Sequence, residues 1–97
     1  LNAAYDLTSD RGGILTLRAR AYRGLGQMDL AKDNVEMALK ADPNDPDALL
    51  ERGTQRAEAG DKDGARADWL KLLEVAPDSY AAEAARTGLA AIDVQAN

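Results

Sequence analysis

Cysteine, histidine and phenylalanine are all missing from this chain of 97 residues. Without cysteine there is no disulfide, no thiolate nucleophile and no thiolate-bound metal. Without histidine the commonest metal ligand and the commonest general base are gone as well. The aromatic residues are one Trp and three Tyr, so a core has to be assembled mainly from Ala, Leu and Val. Small side chains suit closely approaching helices. Basic residues are in the minority, 12 against 17 acidic ones, for a net charge of −5. That balance argues against nucleic acid as a partner, because phosphate binding needs clustered Lys and Arg. No apolar run approaches the ~20 residues of a membrane span, and no secretory leader is visible. The chain starts at Leu1 instead of Met, which reads as a piece of a longer protein.

What is present is a period. Gly26 recurs as Gly60, Asp29 as Asp63, Ala31 as Ala65, Leu39 as Leu73 and Pro43 as Pro77, each 34 residues on (60 − 26 = 34). Leu15 and Arg18 recur at the same offset as Leu49 and Arg52. A fixed period of this length signals stacked helix-turn-helix units.

Local signals place the helices. Residues 1–8 read as the end of a helix, with Ser9, Asp10, Gly12 and Gly13 as a break. A helix is predicted from about Ile14 to Leu25, with Leu15, Ala19, Tyr22 and Leu25 on its apolar side and Gly24 and Gly26 closing it. The next runs to about Ala41, with Asp29 in its first turn and an inner stripe of Ala31, Val35, Ala38 and Leu39. Pro43 ends it. Asp45 caps a third helix that starts at Pro46 and ends before Gly60. A fourth covers about Lys62 to Val75, through Ala65, Trp69, Leu72 and Leu73, and Pro77 breaks it. Asp78 or Ser79 then caps a last helix, about Tyr80 to Val94, with Ala81, Ala84, Ala85, Leu89 and Ile92 inward. Asp93 to Asn97 is expected to fray. Connections of two to five residues force neighbouring helices antiparallel.

Little in the sequence points to catalysis or to a bound cofactor or metal. The hydroxyls are Ser9, Ser79, four Thr and three Tyr, with no His or Cys to activate them; a carboxylate-only mechanism is formally open, but the Asp and Glu fall at turns and outer faces, the pattern of caps and solubility. Asp42, Asn44, Asp45 and Asp47 resemble a calcium loop, but the Gly and the closing Glu that such a loop needs are absent. A turn with an N-cap is the better reading. Gly24-Leu25-Gly26 lacks the preceding strand and third Gly of a phosphate loop. Trp69 and Tyr22 lie on inward helix faces and are read as core.

This pattern resembles the tetratricopeptide repeat family. The residues that carry the resemblance are Leu15, Ala19, Tyr22, Gly26, Ala31, Val35, Ala38 and Pro43 in one unit. In the next they are Leu49, Gly53, Gly60, Ala65, Trp69 and Pro77. The phrase Ala38-Leu39-Lys40-Ala41-Asp42-Pro43-Asn44 is close to the usual end of such a repeat. The resemblance implies an all-α solenoid in one domain: the end of a truncated repeat at 1–11, repeats at 12–45 and 46–79, and a capping helix at 80–94. The second unit departs from the pattern. Arg56 stands where an aromatic is usual and Leu72 where Ala is usual, which suggests looser packing. Arg18 and Arg52 stand where Leu is commoner, and are expected to lay their stems on the core with wet guanidinium groups.

In this family the first helix of each unit lines a concave groove that grips a peptide or a partner's helix. Carried onto this chain, the groove places are Thr16, Arg20 and Arg23, then Leu50, Thr54 and Ala57, with Asn44 at the rim. Thr16, Arg20 and Arg23 also fall at i, i+4 and i+7, opposite the buried stripe. Guanidinium groups bind carboxylates well, so Arg20 and Arg23 either hold an acidic segment of a partner or pair with acids of their own chain. The leading expectation is a non-catalytic protein-interaction scaffold without cofactors. An accessory domain of a larger enzyme or cell-envelope assembly protein is the second. A self-association module, using an open amino-terminal edge at Leu1, Tyr5 and Leu7, is the third. An alanine- and arginine-rich, cysteine-free repeat looks bacterial, and the absence of cysteine suits cytoplasm and periplasm alike.

Overall fold

The computed structural model describes residues 11–96. The expectations for residues 1–8, for Ser9 and Asp10, and for an apolar edge at Leu1, Tyr5 and Leu7 lie outside that range. Among the described residues there are five α-helices and no strand. They are α1 (Arg11–Gly24), α2 (Met28–Ala41), α3 (Pro46–Glu58), α4 (Lys62–Val75) and α5 (Tyr80–Ala96). The fold is all-α, as the period implies. α1 packs on α2 and α3 on α4, forming two antiparallel pairs, and α5 lies against both α3 and α4. α3 is the centre of the molecule, in contact with all four other helices.

The two tight turns repeat the sequence period in their geometry. After α1, the Gly26 N–H donates to the Arg23 carbonyl (3.0 Å) and the Gln27 N–H to the Tyr22 carbonyl (2.8 Å). After α3, the Gly60 N–H donates to Ala57 (3.1 Å) and the Asp61 N–H to Arg56 (2.8 Å). This paired bonding closes a helix only when the residue beyond its end is left-handed. Gly26 and Gly60, at φ 77° and 89°, supply that conformation without a Cβ penalty. Caps begin the later helices. The Asp45 carboxylate accepts from Asp47 N–H (3.1 Å), Asp61 accepts from Gly64 N–H (2.9 Å), and the Ser79 hydroxyl oxygen accepts from Ala82 N–H (3.1 Å). Ser79, not Asp78, therefore caps α5.

Three local expectations are corrected. Gly12 and Gly13 do not break the chain; they sit in the first turns of α1, which starts at Arg11. Amides of a first turn have no intrahelical partner to lose, and the Thr16 hydroxyl donates back to the Gly12 carbonyl (3.0 Å). Leu25 is exposed, because the helical period stops at Gly24 and leaves it in the turn. In α5 the helix runs on through Ala96, and Ala82 joins Ala81, Ala85 and Ile92 in the core while Ala84 faces outward.

The core runs through all five helices: Leu15 and Ala19, then Val35, Ala38 and Leu39, Ala48 and Leu49, Ala65, Trp69 and Leu72, and Ala85 and Ile92. Leu49 and Leu72 are fully buried. Trp69 fills the space between α3 and α5. A Cβ on Gly53 would stand 2.6 Å from its Cδ1, and a Cβ on Gly88 2.6 Å from its Cη2. The indole is thus received by two helices that each give up a side chain to admit it. Tyr22 is half-buried.

Candidate functional site

α1, α3 and α5, the first helices of successive units, stand side by side and leave a groove of about 480 Å³. α1 contributes Arg20 and Arg23, α3 contributes Leu50, Glu51, Thr54, Ala57 and Glu58, and α5 contributes Ala84, Thr87 and Gly88. An edge of Trp69 completes the floor. Five of the seven residues assigned from sequence therefore meet here: Arg20, Arg23, Leu50, Thr54 and Ala57. Two do not. Thr16 is buried at 2 % exposure, with its hydroxyl spent on Gly12, so it offers the groove nothing. A threonine that bonds its own helix can be buried at little cost, which reading it as a polar, outward residue missed. Asn44 lies exposed in the turn between α2 and α3, away from the groove, with its N–H donated to the Asp42 carboxylate (3.0 Å). That bond and the Asp45 cap use the acids of this stretch as turn and cap acceptors.

The two arginines have different roles. Arg23 is committed to its own chain. Its Nε donates to Glu51 Oε2 (2.8 Å), Nη2 to Glu51 Oε1 (3.2 Å) and Nη1 to Glu58 Oε2 (2.9 Å). Glu51 is buried and also accepts from Gln55 Nε2 (3.0 Å), which in turn donates to the Ala31 carbonyl (3.1 Å). Hydrogen bonds from Arg23 to Glu51 raise the arginine's pKa against the opposing effect of burial, with the charges of Glu51 and Glu58 adding to the rise. A desolvated carboxylate survives only when so completely partnered. The cluster joins α1, α2 and α3. Arg20 approaches Glu51 no closer than 4.0 Å, and about half of its side chain is exposed. Among the described residues it is the groove cation with charge to spare.

A second buried carboxylate stands on the opposite side of α3. Asp68 of α4 accepts from Arg52 Nε (3.1 Å) and Nη2 (2.8 Å) and from Arg56 Nη1 (3.0 Å). Arg52 also reaches toward Glu36 of α2 (3.7 Å). Bonding to Asp68 raises the Arg52 pKa. The expectation of a wet guanidinium on Arg52 is thus corrected: its head group is a tie between helices. Arg18 is exposed. Arg56 stands where an aromatic is usual and joins the same tie, while Leu72 is fully buried, so neither departure loosens the second unit. Sequence reasoning missed Glu51, Gln55 and Asp68 altogether. The one available signal was the pairing of Arg20 with Arg23 and of Arg52 with Arg56, two sets of cations at helical spacing that need acids opposite them.

The α3–α4 hairpin is the segment that known families recognise. A family model described as Tetratricopeptide repeat matches residues 47–79. Over those residues the chain is similar to a tetratricopeptide repeat. No curated protein and no solved structure matches it. The match falls on the second unit, where Gly53, Gly60, Ala65, Trp69 and Pro77 lie. Tetratricopeptide repeats are in general non-catalytic protein–protein interaction modules. None of the described helices is long and apolar enough to cross a membrane.

Proposed function

We propose that this chain is a non-catalytic scaffold that binds a partner protein in the groove between α1, α3 and α5. The observation that carries the reading is the groove's composition. Its floor is apolar, made by Leu50, Ala57 and the edge of Trp69, and Arg20 on one wall keeps a half-exposed positive charge on an acidic protein. An apolar recess with a few convergent polar groups is the ordinary form of a binding site. Arg20 suits a partner whose contacting segment carries a carboxylate. Arg23 organises that wall through Glu51 and Glu58.

The test is affinity capture with the full chain, followed by comparison of Ala57→Arg and Lys71→Glu. Ala57→Arg fills the groove from its floor; Lys71 is exposed on α4, outside the residues that line it. Loss of the captured partner with Ala57→Arg alone, at unchanged helical circular dichroism, supports the assignment. Equal capture by both variants rejects it.

A second reading is self-association. Leu17, Leu30 and Met37 on the first helical pair are 61 %, 43 % and 47 % exposed, which is apolar surface available to a second copy.

A further inference from the structure

α1, α3 and α5 occupy equivalent places 34 residues apart, so each position on one has counterparts on the others. Positions 17, 51 and 85 share one side of these helices with positions 21, 55 and 89. On α3 that side is closed by the preceding unit: Glu51 and Gln55 are buried, and Gln55 donates to a carbonyl of α2. On α5 it is closed as well, with Ala85 buried and Leu89 half-buried. On α1 it is open, and both Leu17 and Ala21 are exposed.

Positions 15, 49 and 83, with 19, 53 and 87, form another side, which receives the second helix of the same unit. Leu15 and Ala19 are buried there on α1, and Leu49 and Gly53 on α3. On α5 this side is open among the described residues: Glu83 and Thr87 are exposed, as are Tyr80 and Val94 of the same helix. α1 and α5 each touch α3 and not one another, so the two open sides stand at opposite ends of the row.

The two ends differ in charge. α1 carries four Arg and no acid, and helical spacing puts the exposed Arg18 and Arg20 on either side of the Leu17–Ala21 stripe. Residues 11–41 hold six basic and three acidic side chains, whereas residues 42–97 hold six basic and twelve acidic ones. Around the start of α5, Glu74, Asp78 and Glu83 are exposed. Glu83 pairs with Arg86 of its own helix (3.1 Å) and still keeps 81 % of its side chain in water. A second copy that met α1 with its own α1 would set arginines against arginines, which costs affinity. One that met α1 with its α5 end would bring acids to the arginines, and Tyr80 and Val94 to Leu17.

We propose that the chain associates head to tail with a second copy, the α1 end of one molecule seated on the α5 end of the next. This rests on the reading of Leu17 as part of a self-association surface, and it adds which surface of the second copy Leu17 meets. The contact is heterologous, so it leaves one free end on each molecule of a pair.

The experiment is sedimentation velocity of the full chain from about 10 μM to about 1 mM, because an interface this small associates weakly. The parent should sediment faster as its concentration rises, and slower again in ~1 M salt, which screens exposed charges. Leu17→Glu blocks the α1 end, and Tyr80→Arg with Val94→Arg blocks the α5 end. All three side chains are exposed, so the helical circular dichroism of these variants should match the parent. Ala21→Glu and Glu83→Arg repeat the two blocks at other exposed positions. Each blocked variant alone should be monomeric. Mixed in equal amounts, they should form a dimer and stop there, because each pair offers one open α1 end and one open α5 end. If the α5-blocked variant still dimerises alone, α1 meets α1; head-to-tail contact is overturned and self-association stands. A mixture that stays monomeric where the parent associates has the same meaning, as does an α1-blocked variant that associates like the parent. A parent that is monomeric at every concentration overturns self-association itself.

Discussion

Trp69 sets the tightest residue-scale constraint in the fold. Its pyrrole side occupies the space where a Gly53 side chain would be and its benzene side the space at Gly88. Alanine in a helix interior is intrinsically better than glycine by about 1 kcal/mol. At position 53 that gain is outweighed by overpacking, which costs about 1–3 kcal/mol, because the obstacle is a buried ring instead of a flexible side-chain tip. Gly53→Ala is therefore expected to lower stability in urea denaturation followed by Trp69 emission. Gly24→Ala is the control: nothing lies within 4 Å of the added methyl and its φ is not positive, so it should be neutral or stabilising by up to ~1 kcal/mol. The same scale holds the chain's least legible feature. Glu51 and Asp68 look like surface acids in the sequence, because their partners lie 28 and 16 residues earlier on other helices. Burial of a charge is decided by such distant pairings and leaves no local periodicity. Removing one partner of such a pair strands the other, whereas replacing both is often tolerated. Arg23→Met should destabilise by ~3 kcal/mol, and adding Glu51→Leu should recover much of the loss. Comparing the two single variants with the double in urea checks both statements.

At the scale of elements, the helix ends were readable because their chemistry is local. Gly26 and Gly60, the proline at 46 and the aspartate before it each act within one turn of chain, so spacing alone located four helices to within a residue or so of their carboxy-terminal ends. The start of α1 is less legible, because Gly12 and Gly13 have the composition of a break and yet lie in the first turn of a helix, where the amides have no intrahelical partner to lose. Asp45 shows how a cap can be strained electrostatically. Partial burial raises its pKa, with bonds from the Asp47 and Ala48 amides opposing the rise. A carboxylate whose folded value is raised contributes its stability below the unfolded value and loses it as pH rises through the raised one. Asp45→Asn keeps the capping acceptor without the charge. Its stability relative to the parent should therefore increase as pH rises through the carboxylate range, as read from thermal melts across that range. Asp45→Ala, which removes the acceptor as well, should cost ~1 kcal/mol at neutral pH.

For the molecule as a whole, α3 decides the behaviour, because it touches every other helix and is buried on most of its circumference. The period of 34 made this arrangement legible: stacking units bury the middle ones most. It could not say which side chains of α3 would face the groove as hydrogen-bonding groups and which would be consumed inside, since that depends on α1 and α5 together. One whole-molecule question turns on the apolar side chains of the first pair. Leu17, Leu30 and Met37 leave hydrophobic surface on α1 and α2, while the groove lies between α1 and α5 and includes none of the three. If a second copy covers them, sedimentation velocity at rising concentration should show a dimer, and Leu17→Glu with Met37→Glu should return it to monomer. The same double variant should leave capture of a groove partner unchanged, because the two surfaces share no residue. A monomer at every concentration, with a double variant that behaves as the parent, assigns the chain's contacts to the groove alone; loss of groove binding in the double variant would mean that the two surfaces are coupled through α1.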